Sequence, residues 1–244
     1  AVFVTGSLMR HVTVMTATAS VGLMAIFVVD LLSLLYVSWL GRPEATAGVG
    51  FATIVLYLMI SINIGLMIAV SAMTARALGA GDREGARRIA GSTMALMALA
   101  AIGLSIVALP CLPWLLRALG AHDESYRVAL SFLWIVLPSN VLMALGMGFS
   151  GILRAVGDAR RAMFVTLGGG VATAGLDPLF IFGLGLGPDG AAWAIVISRI
   201  IIASVGFHGA VRVHGIVARP SIVAMLGDTA RTFAIAGPAI LTNL

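Results

Sequence analysis

Residues 162–186 read AMFVTLGGGVATAGLDPLFIFGLGL, and this stretch decides the fold. It holds one charge, Asp177, in a run long enough to cross a bilayer as a helix, which needs about 20 mostly apolar residues. Five more runs of this kind lie outward from it, at 12–39, 48–75, 88–112, 128–152 and 190–212. The whole chain follows the same pattern. Of its 244 residues, 60% are hydrophobic and 10% charged, and mean hydropathy is +1.09. Soluble domains run about 45–50% apolar and about 25% charged. That excludes a cytosolic enzyme, a disordered chain and a nucleic-acid module. The expected class is an all-α integral membrane protein, a bundle of six transmembrane helices. A polar stretch, His214 to Arg231, follows the sixth span. A seventh apolar run, Thr232 to Leu244, begins and is too short to span. The expectation is a fragment: six complete helices and the start of a seventh.

The basic residues set the orientation. All 15 are Arg. With six spans, 11 fall on one side, among them Arg76, Arg83, Arg87, Arg88, Arg154, Arg160 and Arg161. Arg42, Arg117 and Arg127 fall on the other, and Arg199 lies inside the sixth span. Cytoplasmic loops carry the arginine excess in membrane proteins. The N-terminus is therefore expected in the cytoplasm, with Trp39 as an aromatic anchor at the far side. Residues 1–39 show no signal-peptide cleavage pattern.

Two loops on the arginine-rich side resemble each other: Gly79-Ala80-Gly81-Asp82-Arg83-Glu84 and Val156-Gly157-Asp158-Ala159-Arg160-Arg161. In each, Gly closes one helix in a left-handed cap and Asp caps the next. Gly79-Ala80-Gly81-Asp82 also matches a motif of intramembrane aspartyl proteases. The Asp faces the cytosol here, however, and no Tyr-Asp partner precedes it.

Three ionisable residues lie within spans, and such residues mark functional sites by default. Asp30, Asp177 and Arg199 each fall about 13 Å below the outer helix end at about 1.5 Å per residue. That points to one polar cavity among the first, fifth and sixth spans. Two readings stay open. Asp177 and Arg199 form an ion pair that locks two helices, or Asp177 binds and releases a cation. Pro178, with Gly175 before it, makes the fifth span bendable, and Pro138 can kink the fourth. Asn63, Asn140 and Thr173 are candidates to line an interior path or to bond between helices. His11, His122, His208 and His214 show no metal spacing, and Cys111 is the one cysteine. No cofactor or metal is expected.

The ordered set Val37-Ser38-Trp39-Leu40-Gly41, Ala77-Leu78-Gly79-Ala80-Gly81-Asp82, Gly151-Ile152-Leu153-Arg154-Ala155-Val156-Gly157-Asp158, Leu176-Asp177-Pro178-Leu179-Phe180 and Gly190-Ala191-Ala192-Trp193-Ala194 resembles the first half of MATE (multidrug and toxic compound extrusion) transporters. The resemblance implies one lobe of a twelve-helix, two-lobed antiporter in a prokaryotic inner membrane. It exports small amphiphilic, often cationic compounds in exchange for H⁺ or Na⁺. On that pattern, residues 1–212 are the first lobe, 213–231 a cytoplasmic linker, and 232–244 the truncated start of the second lobe. The partners implied are the cargo, the bilayer and that second lobe. Asp177 matches the family's acid in the fifth span. Its acid in the first span falls on Ser33, with Asp30 one turn earlier. The family's Asn one turn before the fifth-span acid is Thr173 here, and a polar position of the sixth span is Ile195. The alternatives are a lipid-linked oligosaccharide or lipid flippase of the same superfamily, which needs several basic residues in its cavity, and a membrane-embedded enzyme.

Overall fold

The computed structural model describes residues 8–243, with some side chains in the first helix excepted. Eight α-helices follow one another: α1 (Leu8–Ser38), α2 (Pro43–Gly79), α3 (Arg83–Ala118), α4 (Asp123–Val136), α5 (Asn140–Ala155), α6 (Ala159–Pro178), α7 (Pro188–Phe207) and α8 (Ile222–Leu241). A short 3₁₀ turn, Leu137–Ser139, joins α4 to α5, so the pair makes one span. Wide π turns, Leu179–Gly183 and His208–Val213, extend α6 and α7. Six helical stretches among the described residues are long and apolar enough to cross a membrane. They outrun the hydropathy peaks at most ends because the polar turn residues that bound them are themselves helical.

The connections are tight. Gly81 at φ +80° and Gly157 at φ +88° take the left-handed conformation that closes α2 and α5. Asp82 then accepts the Gly85 N–H at 2.7 Å, and Asp158 accepts that of Arg161 at 3.1 Å. Each cap satisfies one of the amide groups that a helix start leaves without an intrahelical partner.

Among the described residues, two large apolar clusters fill the bundle, with a small third one at Leu153, Ala162 and Val165. Val37, Val49, Leu56, Leu112, Leu116, Phe132, Leu133 and Ile181 fill the arginine-poor half. Leu66, Val70, Met94, Met97, Phe149 and Ile152 fill the other. Helices approach closely where side chains are small, as association in lipid favours. Ile202 of α7 sits against Gly146 of α5 and Gly169 of α6. A Cβ on either glycine would lie 2.3 Å from an Ile202 carbon. Large side chains such as Leu31, Ile106, Trp114 and Val171 stand exposed around the outside. That is the surface a bilayer covers.

The largest shift from the sequence reading is at the last helix. α8 starts at Ile222, so residues 222–231, read as polar connection, are helical. Hydropathy misses the helix because Asp228 and Arg231 interrupt its first half. Asp228 nevertheless turns inward and is buried, and Thr232 bonds back to its carbonyl at 2.8 Å. α8 packs on α2, where a Cβ on Gly65 would lie 2.9 Å from the Ala236 carbonyl oxygen.

Candidate functional site

Asp177 is fully buried near the arginine-poor end of α6. The helix runs through the Asp177–Pro178 step without a break. Pro178 has no N–H to give the Ala174 carbonyl, and the π turn begins directly after it. Gly175 is ordinary helix there, with open space around its Cα. Across the interface with α1, the Ser33 hydroxyl donates to the Asp177 carboxylate. The position that the resemblance assigns to an acid therefore touches the fifth-span acid, through a hydroxyl. The Asp30 side chain lies outside the described residues. Thr173, one turn below Asp177, gives its hydroxyl to the Gly169 carbonyl of its own helix at 3.1 Å. Ser198 of α7 donates to that same carbonyl at 2.8 Å.

Arg199 is elsewhere. Asp177 stands six residues before Gly183, about 9 Å below the helix end, whereas Arg199 stands eleven residues after Pro188, about 16 Å below it. The equal depth expected from hydropathy fails because those boundaries misplaced the two helix ends in opposite senses. No ion pair joins Arg199 to Asp177 or to any other carboxylate among the described residues. Asp177 and Arg199 occupy two polar places: Asp177 with Ser33 between α6 and α1, and Arg199 where α4 meets α5.

This second place follows from Pro138. A proline has no N–H and interrupts the helical ladder. The Asn140 N–H bonds Leu137 in 3₁₀ fashion, not Val136. The Val136 carbonyl, without the Asn140 N–H, accepts from Arg199 Nη1 at 3.0 Å and from Ser139 Oγ at 2.7 Å. Arg199 Nη1 also reaches Ser139 Oγ at 3.0 Å. From α3, Ser105 donates to the Leu137 carbonyl at 3.2 Å. From α2, Asn63 Nδ2 donates to Asn140 Oδ1 at 3.0 Å. Three neighbouring helices thus hold one joint. Asn63 and Asn140 come together as an interhelical pair. Ser105 and Ser139 were not singled out from the sequence, although Pro138-Ser139-Asn140 carried the signal.

A third cluster lies at the arginine-rich end. Asp158 accepts from His214 Nε2 at 2.9 Å and pairs with the Arg161 guanidinium. Burial pushes the Asp158 carboxyl up, but the bonds from His214 and Arg161 and the Arg161 charge outweigh it, so it sits below the usual carboxylate range. The chain after α7 is pinned here at two more points. The His214 carbonyl accepts from Arg83 at 3.2 Å, and the Ala218 N–H donates to Arg87 at 3.1 Å. Among the described residues, no group of His, Cys, Asp or Glu is placed to hold a metal.

The MatE family model matches residues 18–179. An FAD transporter of Shewanella oneidensis is 30% identical over 92% of this chain and 51% of its own length. A probable multidrug resistance protein of Bacillus subtilis, YoeA, is 27% identical over 66% of this chain and 36% of its own. A solved MOP superfamily transporter from Pyrococcus furiosus, described by the reverse polarity of its binding pocket, superposes with a TM-score of 0.88. It is 26% identical, and the match covers 98% of this chain and 53% of that one. The chain spans about half the length of the relatives it matches over nearly all of its residues.

Proposed function

Because the chain belongs to the MatE family of membrane transporters, we propose that it forms the first lobe of a cation-coupled antiporter, entering at Asp177 and exporting a small amphiphilic compound. Residues 1–212 are then the six-helix lobe, and the segment from 213 carries the chain across the cytoplasmic face to a second lobe that α8 begins. The N-terminus and the arginine-rich turns lie in the cytoplasm of a prokaryotic inner membrane, in keeping with the arginine bias. Alternating access rocks one lobe against the other around a central site.

The observation that carries this reading is Asp177. A fully buried carboxylate in a membrane-crossing helix, touched by the Ser33 hydroxyl of α1, is costly unless its charge has a use. H⁺ or Na⁺ arriving at the carboxylate removes that charge and loosens the grip of α1 on α6. Its departure restores both. The absence of an Asp177–Arg199 bridge supports this over the locked-pair reading. In membrane vesicles carrying the transporter, Asp177→Asn is expected to abolish ion-driven dye efflux while leaving insertion intact. Undiminished efflux in energised vesicles refutes the assignment.

The cargo is less bound to the family's usual cationic drugs. The relative matched over most of this chain is named an FAD transporter, and FAD is an anionic amphiphile. A flippase for pyrophosphate-linked lipids would need several cations in its cavity, and Arg199 alone stands deep within the described spans.

A further inference from the structure

Arg199 is held, but not neutralised. Its side chain is 5% exposed, so bulk water does little for the charge. Its bonded acceptors are a backbone carbonyl and a hydroxyl, both neutral. No carboxylate stands within ion-pair distance among the described residues. Buried charges are ordinarily paired, because an unanswered one in a low-dielectric interior costs several kcal/mol on the order of magnitude. A residue required only to close the Val136 carbonyl would do so as a neutral donor at lower cost.

The two bonds also use one corner of the group. A guanidinium has five N–H donors in a planar fork, and both contacts run from Nη1. The Nε–Nη2 edge has no acceptor among the described residues. Neither atom is among the fully buried polar atoms left without a partner, so each keeps some accessible surface. It is the geometry with which arginine grips a carboxylate or phosphate through two parallel bonds. Its depth, about 16 Å from the end of α7, is near the bilayer midplane, where secondary transporters hold cargo beside interrupted helices. The interruption is present here, at Leu137–Ser139.

We propose that Arg199 receives an anionic group of the cargo, a phosphate or carboxylate, on its Nε–Nη2 edge, while Nη1 stays tied to Val136 and Ser139. This rests on the transporter reading and narrows it: the favoured cargo is an amphiphile with an acidic head. Arg199 and Asp177 then divide the work, with cargo anion at one and coupling cation at the other, on separate helices and at different depths.

Flavins supply the probe, because riboflavin and its phosphorylated forms share a ring system and differ in the acidic group. The complete transporter in nanodiscs of neutral lipid is titrated with riboflavin, FMN and FAD, and binding is read by flavin fluorescence. The phosphorylated flavins are expected to bind at least about tenfold tighter than riboflavin, a difference of about 1.4 kcal/mol. Arg199→Gln should erase the preference and leave riboflavin affinity within about twofold. Arg199→Lys, which keeps the charge but loses the fork, should keep part of it. Equal binding of riboflavin and FMN by the wild type overturns the proposal, even if the Gln variant fails to fold. So does a preference that survives in Arg199→Gln, or an equal loss for all three flavins. Adding phosphatidylglycerol to the nanodiscs should not compete. If it erases the preference, the edge belongs to a lipid headgroup and the cargo assignment falls. Competition by inorganic phosphate below its millimolar range would reassign the edge to free phosphate and likewise sink it. No ion gradient enters the measurement, so its failure leaves antiport through Asp177 standing, and the vesicle result for Asp177→Asn leaves this site standing.

Discussion

Asp177 and Arg199 are buried charges of the six long spans, and they are held by opposite strategies. Asp177 stands near a helix end on an unbroken stretch, and a hydroxyl that reaches it, that of Ser33, comes from a helix it packs against. Arg199 stands near mid-depth, and what holds it is a defect in another helix. At the 3₁₀ turn beside Pro138 the Asn140 N–H bonds Leu137 in place of Val136, and the guanidinium adds its bond at the Val136 carbonyl. A cation tied to backbone keeps its place while the cargo changes. The comparison teaches that burial alone does not tell a working charge from a fixed one, whereas the identity of the partners does.

The largest test of that contrast removes the defect. If Arg199 is fixed by the joint, its contribution to stability depends on Pro138. Arg199→Leu is expected to cost about 2 kcal/mol in lost hydrogen bonds to a charged group, set against the relief of its unanswered charge, which is common to both backgrounds and cancels in the cycle. In a Pro138→Ala background, the Asn140 N–H can return to Val136 and the cost should fall below about 1 kcal/mol. Reversible unfolding in mixed micelles, run as a double-mutant cycle, reads the coupling. Additive losses would mean that the guanidinium serves something other than the break. A smaller effect separates the residues around Asp177. Ser33→Ala removes a donor and should shift the ion concentration for half-maximal efflux by about fivefold, or about 1 kcal/mol. Thr173→Ala should shift it by less than about twofold, since that hydroxyl already serves Gly169 within its own helix. A larger effect at Thr173 than at Ser33 would reverse the assignment.

The six spans were legible because bilayer thickness imposes a length and a polarity that composition cannot disguise. Asp177 was legible as a charge in such a run, and its partner Ser33 only through the family pattern, since one serine in an apolar helix has no signature of its own. The joint at Pro138 was half legible. The proline announced a kink, but the acceptor that Arg199 finds is a backbone carbonyl, and carbonyls are the same at every residue. The depth error had a similar origin. Hydropathy marks where apolar side chains stop, whereas helices stop at caps and π turns, and a few residues at 183–190 moved two charges apart by about 7 Å. α8 was hidden because Asp228 and Arg231 read as solvent residues, although Asp228 is buried.

Asp158 offers the smallest effect and sharpens the contrast from the surface side. It is a carboxylate whose partners are all present: the Arg161 amide and guanidinium, and His214. Those partners hold the carboxyl below its ordinary range against the opposing effect of burial. A depressed native value means that the folded protein binds the proton less readily than the unfolded chain. The stabilisation is therefore full above the unfolded value, about 3.9, and is lost as pH falls through the lower native one. Asp158→Asn keeps an N-cap acceptor but cannot ionise. The stability gap between wild type and this variant should be flat from about pH 7 to pH 5 and shrink below about pH 4, by about 1 kcal/mol or less. Thermal unfolding of wild type and Asp158→Asn across pH 3–7 decides it. A gap that stays flat down to pH 3 would mean that the bonds from His214 and Arg161 add nothing beyond the cap, and that the chain following α7 is not tied to the first lobe through this acid.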